Sequence, residues 1–340
     1  MKKKVLIISQ KSFDVTTELV MDWITFYGHK AIRFNGELLE DNDNSIVITN
    51  NKTESVFNFN KKLLESNIDR IWYRRWTYEN HLVNTFISTI KDYKNNGKFF
   101  LDLYNNVCSD YNTLQKLFLD SRKYLFAITS PNQTNTNKII NLNIASKIGL
   151  NIPKYIITNR KAELKIFFDK QKRIVVKDLN ANFYYSENNK MYMNFVSEIS
   201  KNDFKKLPQK FGISFFQEYI LKKFEIRVFY LQGKFYSMAI FSQNNIKTQT
   251  DFRNYDHLNP NRVVPYNLPL EICSKLLRLM KILKLETGSI DLIKDDQNRY
   301  FFLEVNPVGQ FGMISYPCNY QLESIIARKL INYKKRIILN

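Results

Sequence analysis

The chain is poor in cysteine and histidine and lacks the glycine-rich motifs that commonly bind phosphate. Its three cysteines, Cys108, Cys273 and Cys318, lie far apart without paired spacing, so neither a disulfide framework nor a zinc site is indicated. The three histidines are equally scattered, and we assign them no catalytic or metal-binding role. Neither G-x-G-x-x-G nor G-x-x-x-x-G-K-[ST] occurs, which excludes the dinucleotide-binding and P-loop solutions for holding phosphate.

Long apolar runs are also missing, and no stretch is long enough to span a membrane. The N-terminal segment MKKKVLIISQ begins with lysines, but its apolar run stops at Ile8 and no small-residue cleavage site follows. We therefore expect no signal peptide. Together with the low cysteine content, this makes a reducing cytoplasm the expected location.

Composition describes a globular protein with a strong excess of positive charge. With 340 residues and 44% hydrophobic content, the chain can form two or three domains with substantial cores. The formal net charge of +19 suits a polyanionic partner, although the abundance of Lys and Asn is also explained by background compositional bias. A basic surface attracts nucleic acid, nucleotide phosphates or an acidic peptide by the same long-range steering, so charge alone does not choose among them.

Hydrophobic periodicity predicts a mixed α/β and α+β fold in three parts. A strand from Val5 to Ser9 and a helix from Thr17 to Tyr27 open a small α/β domain at residues 1–115, with further strands at Ser45 to Thr49 and Ile71 to Tyr73. A central unit at 116–210 and a C-terminal unit at 211–340 follow. Their predicted elements are a helix at Lys138 to Ile148, strands at Ile152 to Thr158, Arg173 to Lys177, Ser214 to Leu221, Phe224 to Leu231 and Lys234 to Ser242, and a helix at Glu271 to Leu283.

The segment from Gly288 to Gln310 reads as a hairpin that carries acidic residues on one face. If the turn centres on Gln297 and Asn298, three cross-strand pairs follow: Ile290 with Val305, Leu292 with Leu303, and Asp291 with Glu304. Two carboxylates in register repel unless a cation lies between them, and Asn306 adds a neutral oxygen two residues on. This pattern predicts a magnesium site, shared with phosphates because so few carboxylates are available. An acidic pair on a solvated hairpin is the alternative.

Upstream strands supply charged side chains that suit a nucleotide. Alternation places Glu225 and Arg227 on one face of a strand, where they are either functional or a solvated ion pair. The preceding segment, which includes Gln217, looks like a strand edge whose backbone could contact adenine and leave Glu225 near a ribose. Lys177 ends an apolar strand, where its ammonium either meets a phosphate or extends to solvent.

In this order, these segments resemble the ATP-grasp superfamily, in which two α+β units hold ATP between them with magnesium on carboxylates of the last unit. The resemblance covers most of the chain. It is most specific in WYRRW, NKIINLNIASKIGLNIPKYIIT, FFQEYILKKFEIRVFYLQGKF, TQTDFR and LEVNPVGQFGM, which look like microviridin-type peptide ligases, the enzymes that make graspetides. The tail MISYPCNYQLESIIARKL is similar to the grasp-with-spasm peptide maturases.

The resemblance assigns a role to each candidate residue. It implies that Lys138 and Lys177 contact the ATP phosphates and that Arg227 and Arg253 lie near the transferred phosphate, for which a guanidinium fork is suited. The remaining assignments are the adenine edge at Gln217, Glu218 and Tyr219, the ribose at Glu225, and magnesium at Asp291, Glu304 and Asn306. The loop after Lys177, DLNANFYYSENNK, departs from the glycine-rich loop of many superfamily members, which puts phosphate contacts from its backbone amides in doubt.

The implied activity is ATP-dependent peptide macrocyclisation. An Asp or Glu side chain of a ribosomal precursor becomes an acyl phosphate, which a Thr or Ser hydroxyl or a Lys amine then attacks. The implied cofactors are ATP and Mg2+, and the implied partner is a precursor with a leader and a core rich in carboxylates and hydroxyls. A homodimer is left open, and neither nucleic acid nor a membrane is an expected partner. Two alternatives remain: an ATP-grasp ligase that adds amino acids to a small molecule or a protein terminus, and a non-catalytic basic protein that binds nucleic acid.

Overall fold

The computed structural model describes residues 2–11, 14–36, 47–51, 54–58, 68–76, 97–134, 136–179, 184–187 and 190–334. The chain divides into two compact units: Met1–Thr134 with Gln321–Asn340, and Asn135–Tyr320. The finer division at residues 115 and 210 stays a prediction. Within the described ranges, no helix is both long enough and apolar enough to cross a membrane.

The first unit contains a three-stranded parallel sheet in the order β2-β1-β5. Its elements are β1 (Lys4–Ser9), α1 (Val15–Phe26), β2 (Lys30–Asn35), β3 (Val47–Asn51), β4 (Glu54–Asn58), β5 (Arg70–Tyr73), α2 (Gly97–Asp120), a 3-10 turn (Pro131–Gln133) and α8 (Leu322–Ile331). Strands β3 and β4 pair as a separate antiparallel hairpin. Helix α8 packs against α1, so the last helix of the described chain completes the first unit.

The central strand of this sheet explains why the N-terminal prediction holds. Val5, Leu6, Ile7 and Ile8 in β1 are each at most 1% exposed, as expected for a parallel strand that is covered on both faces. The predicted α/β opening is therefore confirmed. Strand β2 and helix α2 were not predicted. Helix α2 contains three Asn and three Asp, which favour turns and caps over helix interiors, although its apolar residues recur at helical spacing.

The second unit begins with a four-stranded antiparallel sheet in the order β10-β7-β11-β6. Its elements are β6 (Tyr155–Arg160), α4 (Lys161–Gln171), β7 (Ile174–Lys177), β10 (Ser197–Glu198), α5 (Lys201–Lys206) and β11 (Lys210–Glu218). Leu164, Ile174 and Phe216 form the buried centre between the helices and the sheet. The segment predicted as a loop after Lys177 contains a hairpin of β8 (Tyr184–Glu187) and β9 (Lys190–Met193), while residues 180–183 and 188–189 lie outside the described residues.

A five-stranded antiparallel sheet in the order β14-β13-β12-β15-β16 forms the rest of this unit. Its elements are α3 (Lys138–Lys147), β12 (Lys222–Leu231), β13 (Lys234–Phe241), β14 (Arg262–Pro265), α6 (Leu270–Ile282), β15 (Thr287–Asp295), β16 (Tyr300–Asn306) and α7 (Gly312–Ser315). Leu142 of α3 and Leu276 of α6 are fully buried in its core, together with Ile290 and Phe302. The predicted β12–β13 turn is confirmed, with Gln232 and Gly233 at φ 48° and 95°, as a two-residue hairpin requires.

The acidic hairpin of β15 and β16 has the predicted register on one side of a bulge and a different register on the other. Ile290 pairs with Val305 and Asp291 with Glu304, as predicted. The pairing of Leu292 with Leu303 is wrong, because a bulge after Asp291 brings Leu292 opposite Phe302. The Asp295 N–H donates to the Arg299 carbonyl, so the loop between them holds three residues instead of the two predicted, with Asn298 at φ 62°. The extra residue at the bulge offsets this longer loop and restores the predicted pairing of Asp291 with Glu304.

Gly309 is the position in this region at which a side chain has no space. A Cβ there would lie 2.2 Å from Ser289 Cβ and 2.7 Å from the Ser289 backbone nitrogen. We expect Gly309→Ala to destabilise the protein by about 1–3 kcal/mol, the usual cost of overpacking. Thermal unfolding measures this effect. Gly212→Ala is the matched control, since no atom lies within 4 Å of its Cβ position, and an equal loss in both variants would contradict the prediction.

Candidate active site

One pocket of the second unit collects most of the predicted site residues. It encloses about 960 Å³, part of it open to solvent, and its walls come from both sheets, from α3 and from the loop before β14. Nine of the eleven candidate residues line it: Lys138, Lys177, Gln217, Glu218, Tyr219, Glu225, Arg253, Asp291 and Glu304.

A row of charged side chains crosses three neighbouring strands at the pocket. Arg227 of β12 lies opposite Asp291 of β15, which lies opposite Glu304 of β16. The Arg227 guanidinium donates to both Asp291 oxygens at 2.6 and 2.5 Å. Arg227 does not itself line the pocket but reaches it through this pair. The sheet register therefore places one cation and two carboxylates side by side.

Two lysines approach this row from other elements. Lys138, at the start of α3, lies 3.0 Å from a Glu304 oxygen and donates to the Asp178 carbonyl at 3.2 Å. The ammonium of Lys177, at the end of β7, forms no hydrogen bond or ion pair with the side chain or backbone of another described residue. Burial away from water lowers the pKa of Lys177 to about 8. The positive charge of Lys138 lowers this pKa further, whereas the negative charge of Glu304 acts to raise it. An ammonium in this state gains from an incoming anion.

The two carboxylates of the row have pKa values shifted in opposite directions. Burial raises the pKa of Asp291, and the Glu304 charge adds to this effect while Arg227 opposes it. Burial also acts to raise the pKa of Glu304, but the charges of Lys138 and Lys177 outweigh it, so the pKa of Glu304 is lowered. Two carboxylates this close do not ionise independently, and a divalent cation between them would offset their mutual repulsion.

The donor chemistry of this row fits magnesium. Carboxylate oxygens are its preferred protein ligands, and sites that share the ion with phosphates use only one or two of them. The pocket lining holds six carboxylates, Asp178, Glu218, Glu225, Asp251, Asp291 and Glu304, against the four cations Lys138, Lys177, Lys222 and Arg253. The excess of carboxylates would repel the phosphates of a nucleotide unless a bound cation offset the negative charge. Among the described residues, no group of three or more His, Cys, Asp or Glu side chains is arranged for a metal, so a site here would rely on this pair.

Asn306, the third predicted ligand, lies apart from the pocket. It is exposed, pairs with Ser289 across the hairpin, and its side-chain oxygen accepts the Val308 N–H at 3.1 Å. It is not among the described residues that line the pocket. Its predicted role therefore rests on strand alternation alone, which places it on the same face as Glu304.

At the other end of the pocket, β11 and the start of β12 present polar groups. The Gln217 amide nitrogen is buried and has no hydrogen-bond partner in the part of the chain that the structure describes, and the residue is 2% exposed. Glu218 accepts the Lys154 N–H at 3.2 Å, and the Tyr219 ring lies 3.9 Å from the Arg173 guanidinium carbon. A buried donor without an acceptor is costly, so the Gln217 amide is available to a ligand.

Glu225 is buried at this end and forms an ion pair with Lys222. It also accepts from the Ser242 hydroxyl at 3.3 Å. Burial raises the pKa of Glu225 to about 7, although the Lys222 charge opposes the shift.

Lys222 and Asp251 also line the pocket, although the sequence did not predict them there. In a regular strand, Lys222 and Glu225 would lie on opposite faces, but a register shift between Lys222 and Phe224 turns both toward the pocket. Asp251 lies in the loop before β14, where no periodicity exists to predict a facing direction. Its carboxylate binds Arg253 through two side-chain nitrogens and is 5% exposed. The only available signal was the short spacing of the two charges in TQTDFR.

No protein-family model matches the chain, and no curated protein matches it either. Solved structures match it over nearly its whole length. A RiPP-associated ATP-grasp ligase of Chryseobacterium gregarium, in complex with ADP and a leader and core peptide, has a TM-score of 0.76 and 24% identity, covering 96% of this chain and 95% of that one. The macrocyclase MdnC of Microcystis aeruginosa MRC, bound with precursor peptide MdnA, has a TM-score of 0.76 and 24% identity, covering 97% and 99%.

A third structure, the ATP-grasp ligase PsnB complexed with a phosphomimetic variant of a minimal precursor, Mg and ADP, has a TM-score of 0.71 and 13% identity, covering 97% of this chain and 98% of that one. At these identities the likeness concerns the fold. It extends over both units, and it confirms the predicted fold class. The chain therefore has the same fold as these ATP-grasp ligases.

Proposed function

We propose that this protein is an ATP-dependent ligase that closes side-chain rings in a ribosomally made precursor peptide. One observation carries the proposal: the row of Arg227, Asp291 and Glu304 faces Lys138 and Lys177 in a single pocket. Such a set of charges suits the transfer of a phosphoryl group, in which positioning and charge neutralisation do most of the work.

ATP would lie along the pocket, with its base near Gln217 and its phosphates near the two lysines. The unpartnered Gln217 amide would find an acceptor on the base, and the Glu225 carboxylate would face the ribose hydroxyls. Lys138 and Lys177 would contact phosphate oxygens. When bound at Asp291 and Glu304, magnesium would neutralise phosphate charge and orient the terminal phosphoryl group.

The chemistry would proceed in two balanced steps. An oxygen of a peptide Asp or Glu carboxylate attacks the terminal phosphorus, the bond to the bridging oxygen breaks, and ADP leaves with an acyl phosphate remaining. A Thr or Ser hydroxyl, or a Lys amine, of the same peptide then attacks the acyl carbon, and phosphate leaves as the proton is released. Arg253 would hold the phosphoryl oxygens through parallel N–H donors, and the positive charge of Arg227 would help to stabilise them.

A peptide substrate is supported by charge and by the similar structures. The C. gregarium ligase was solved with leader and core peptides, and MdnC with a precursor peptide. The net charge of +19 would draw a carboxylate-rich core toward this protein, with an attraction that weakens as salt rises. We therefore propose a precursor with an acidic, hydroxyl-rich core as the partner.

Mass spectrometry of a precursor peptide encoded next to the gene tests the proposal directly. The peptide is incubated with the purified protein, ATP and Mg2+. ATP-dependent loss of whole water masses is the expected result, and alkaline hydrolysis of the product then separates esters from amides. A mass gain with added glutamate would instead favour an amino-acid ligase. Absence of ATP use with retained nucleic-acid binding would favour a basic binding protein.

The lowered pKa of Lys177 predicts how nucleotide affinity depends on pH. In the free protein the ammonium is charged below pH 8 and loses its proton above it, because its pKa is about 8. A bound phosphate restores the charge, so binding above pH 8 must take up a proton. We expect the affinity for a non-hydrolysable ATP analogue to fall by up to about tenfold per pH unit above 8.

Calorimetric titration between pH 7 and 9.5 measures this dependence. Lys177→Arg is the matched control, because a guanidinium stays charged throughout this range and should flatten the profile. A wild-type affinity that does not change across the range would contradict the assignment of Lys177 to the phosphates.

A further inference from the structure

Asp251 occupies a junction between the loop before β14 and the segment after β9. Its carboxylate accepts from Arg253 Nε at 2.9 and 3.2 Å, from Arg253 Nη2 at 2.6 Å and from the Arg253 backbone N–H at 3.1 Å. It also accepts the Val196 backbone N–H at 3.1 Å. Asp251, Arg253 and Val196 all line the pocket, so one carboxylate fixes two of its walls.

The environment of Asp251 suits a fixed anion more than a proton carrier. Its side chain is 5% exposed, while that of Arg253 is 32% exposed toward the pocket. Burial acts to raise the pKa of Asp251, but the Arg253 hydrogen bonds and charge outweigh it and the pKa is lowered. The carboxylate therefore remains ionised at neutral pH and holds one face of the guanidinium.

Arg253 in turn lies close to the charged row. Burial acts to lower the pKa of Arg253, but its bonds to Asp251 and the carboxylates of Glu304 and Asp291 raise it. The Arg253 charge also contributes to the lowered pKa of Lys177. The guanidinium is thus within electrostatic reach of the groups that would hold phosphate and magnesium.

We propose that Asp251 is the positioning residue for Arg253 and orients its guanidinium toward the transferred phosphoryl group. Its hydrogen bond to the Val196 N–H also connects the loop before β14 to the segment after β9. This inference rests on the proposed function, because Arg253 acts on a phosphoryl group only in a ligase. In this proposal Asp251 acts only through Arg253. A long side chain is costly to immobilise, and a carboxylate that binds it through two nitrogens removes that cost before the nucleotide arrives.

A double-mutant cycle tests this role. We compare wild type, Asp251→Asn, Arg253→Ala and the double variant by precursor-dependent ADP formation. Arg253→Ala is expected to lose about 100-fold to 1000-fold, the usual cost of removing one charge-stabilising donor. Asp251→Asn is expected to lose at least about tenfold, and the double variant should match Arg253→Ala, since a positioning residue has no effect once its target is gone. Asp251→Glu, which keeps the charge, should recover part of the rate.

Asp256→Asn is the matched control within the same loop. Asp256 accepts from Asn245 at 2.8 Å and from the backbone N–H groups of Leu258 and Asn259, and none of its hydrogen bonds involves Arg253. Its replacement should leave ADP formation within about twofold of wild type, and melting curves verify that each variant folds. Losses that add in the double variant, or an equal loss in Asp256→Asn, would overturn the positioning role.

The same cycle is also measured without turnover, by the ratio of the affinities for a non-hydrolysable ATP analogue and for ADP. Asp251→Asn should lower this ratio at least about threefold, with no further loss when Arg253 is also replaced. If wild type consumes no ATP with the precursor, the proposed function fails while this ratio still tests the positioning role. If wild type is active and the ratio is unchanged in Asp251→Asn, the positioning role alone fails.

Discussion

Replacing Glu304 by Gln is expected to reduce precursor-dependent ADP formation about 1000-fold while leaving the fold intact. Glutamine keeps the shape of the side chain but removes the charge that lies beside Lys138 and faces Asp291. Magnesium would lose one of its two carboxylates, and charge stabilisation by a bound metal is worth several kcal/mol, at about 1.4 kcal/mol for each tenfold. A coupled assay of ADP release at saturating Mg2+ measures the loss.

The control for this variant is Glu271→Gln on α6, where the carboxylate is 74% exposed and pairs only with Lys275 within its own helix. It should leave the rate unchanged. The Glu304 side chain is 33% exposed, so its charge should alter the free energy of unfolding by no more than about 1 kcal/mol. ADP release at the wild-type rate in Glu304→Gln would rule out the assignment of Glu304 to the metal.

Replacing Arg227 by Ala is expected to destabilise the protein by about 3–5 kcal/mol, the usual cost of leaving one partner of a buried ion pair alone. The side chains of Arg227 and Asp291 are 12% and 16% exposed, and their contact joins the central strand β12 to its neighbour β15. Loss of the guanidinium would leave Asp291 beside Glu304 without the cation to which it is hydrogen-bonded. Urea-induced unfolding gives the change in free energy.

Arg299→Ala provides a matched control at the end of the same hairpin. Its side chain is 56% exposed, and Asp295 keeps a backbone N–H donor at 2.7 Å when the guanidinium is removed, so a loss within about 1 kcal/mol is expected. Added Mg2+ should stabilise Arg227→Ala more than it stabilises wild type, because the Asp291 oxygens of the variant are no longer shared with the guanidinium. A variant that Mg2+ does not stabilise would contradict the metal site.

The acidic hairpin shows why part of the site was predictable. Strand alternation has a period of two, so apolar residues at Ile290 and Val305 force Asp291 and Glu304 to the opposite face and into register. The same argument placed Glu225 and Arg227 on one face of β12, and both prove to be directed to the pocket or its row. Strand alternation was sufficient for Glu225 and Arg227, because β12 and β15 pair in regular register from Phe224 to Leu231. Asp291 and Glu304 are in register because the bulge after Asp291 offsets the longer loop of the hairpin.

Strand alternation gave wrong or no predictions where the chain has bulges or irregular loops. The bulge after Asp291 moved Leu292 opposite Phe302, and the register shift after Lys222 turned that lysine into the pocket. Asp251 lies in a loop without any period, so its bonds to Arg253 and to Val196 could not be read from spacing. Helix α2 was missed because its polar residues favour turns when they are considered without their neighbours.

The sequence by itself determined the buried strand that opens the first unit, the strand-rich second unit, and the face of the hairpin on which Asp291 and Glu304 lie, because periodicity is a local property. The pairing of these two carboxylates also needed the bulge after Asp291, which offsets the longer loop. Only the tertiary structure decided that Lys138, Lys177 and Arg253 meet that pair, since they come from a helix start, a strand end and a loop whose separations in sequence carry no information about distance. It also decided the ionisation of these groups. Desolvation and neighbouring charge depend on contacts that form only when both sheets of the second unit close around one pocket.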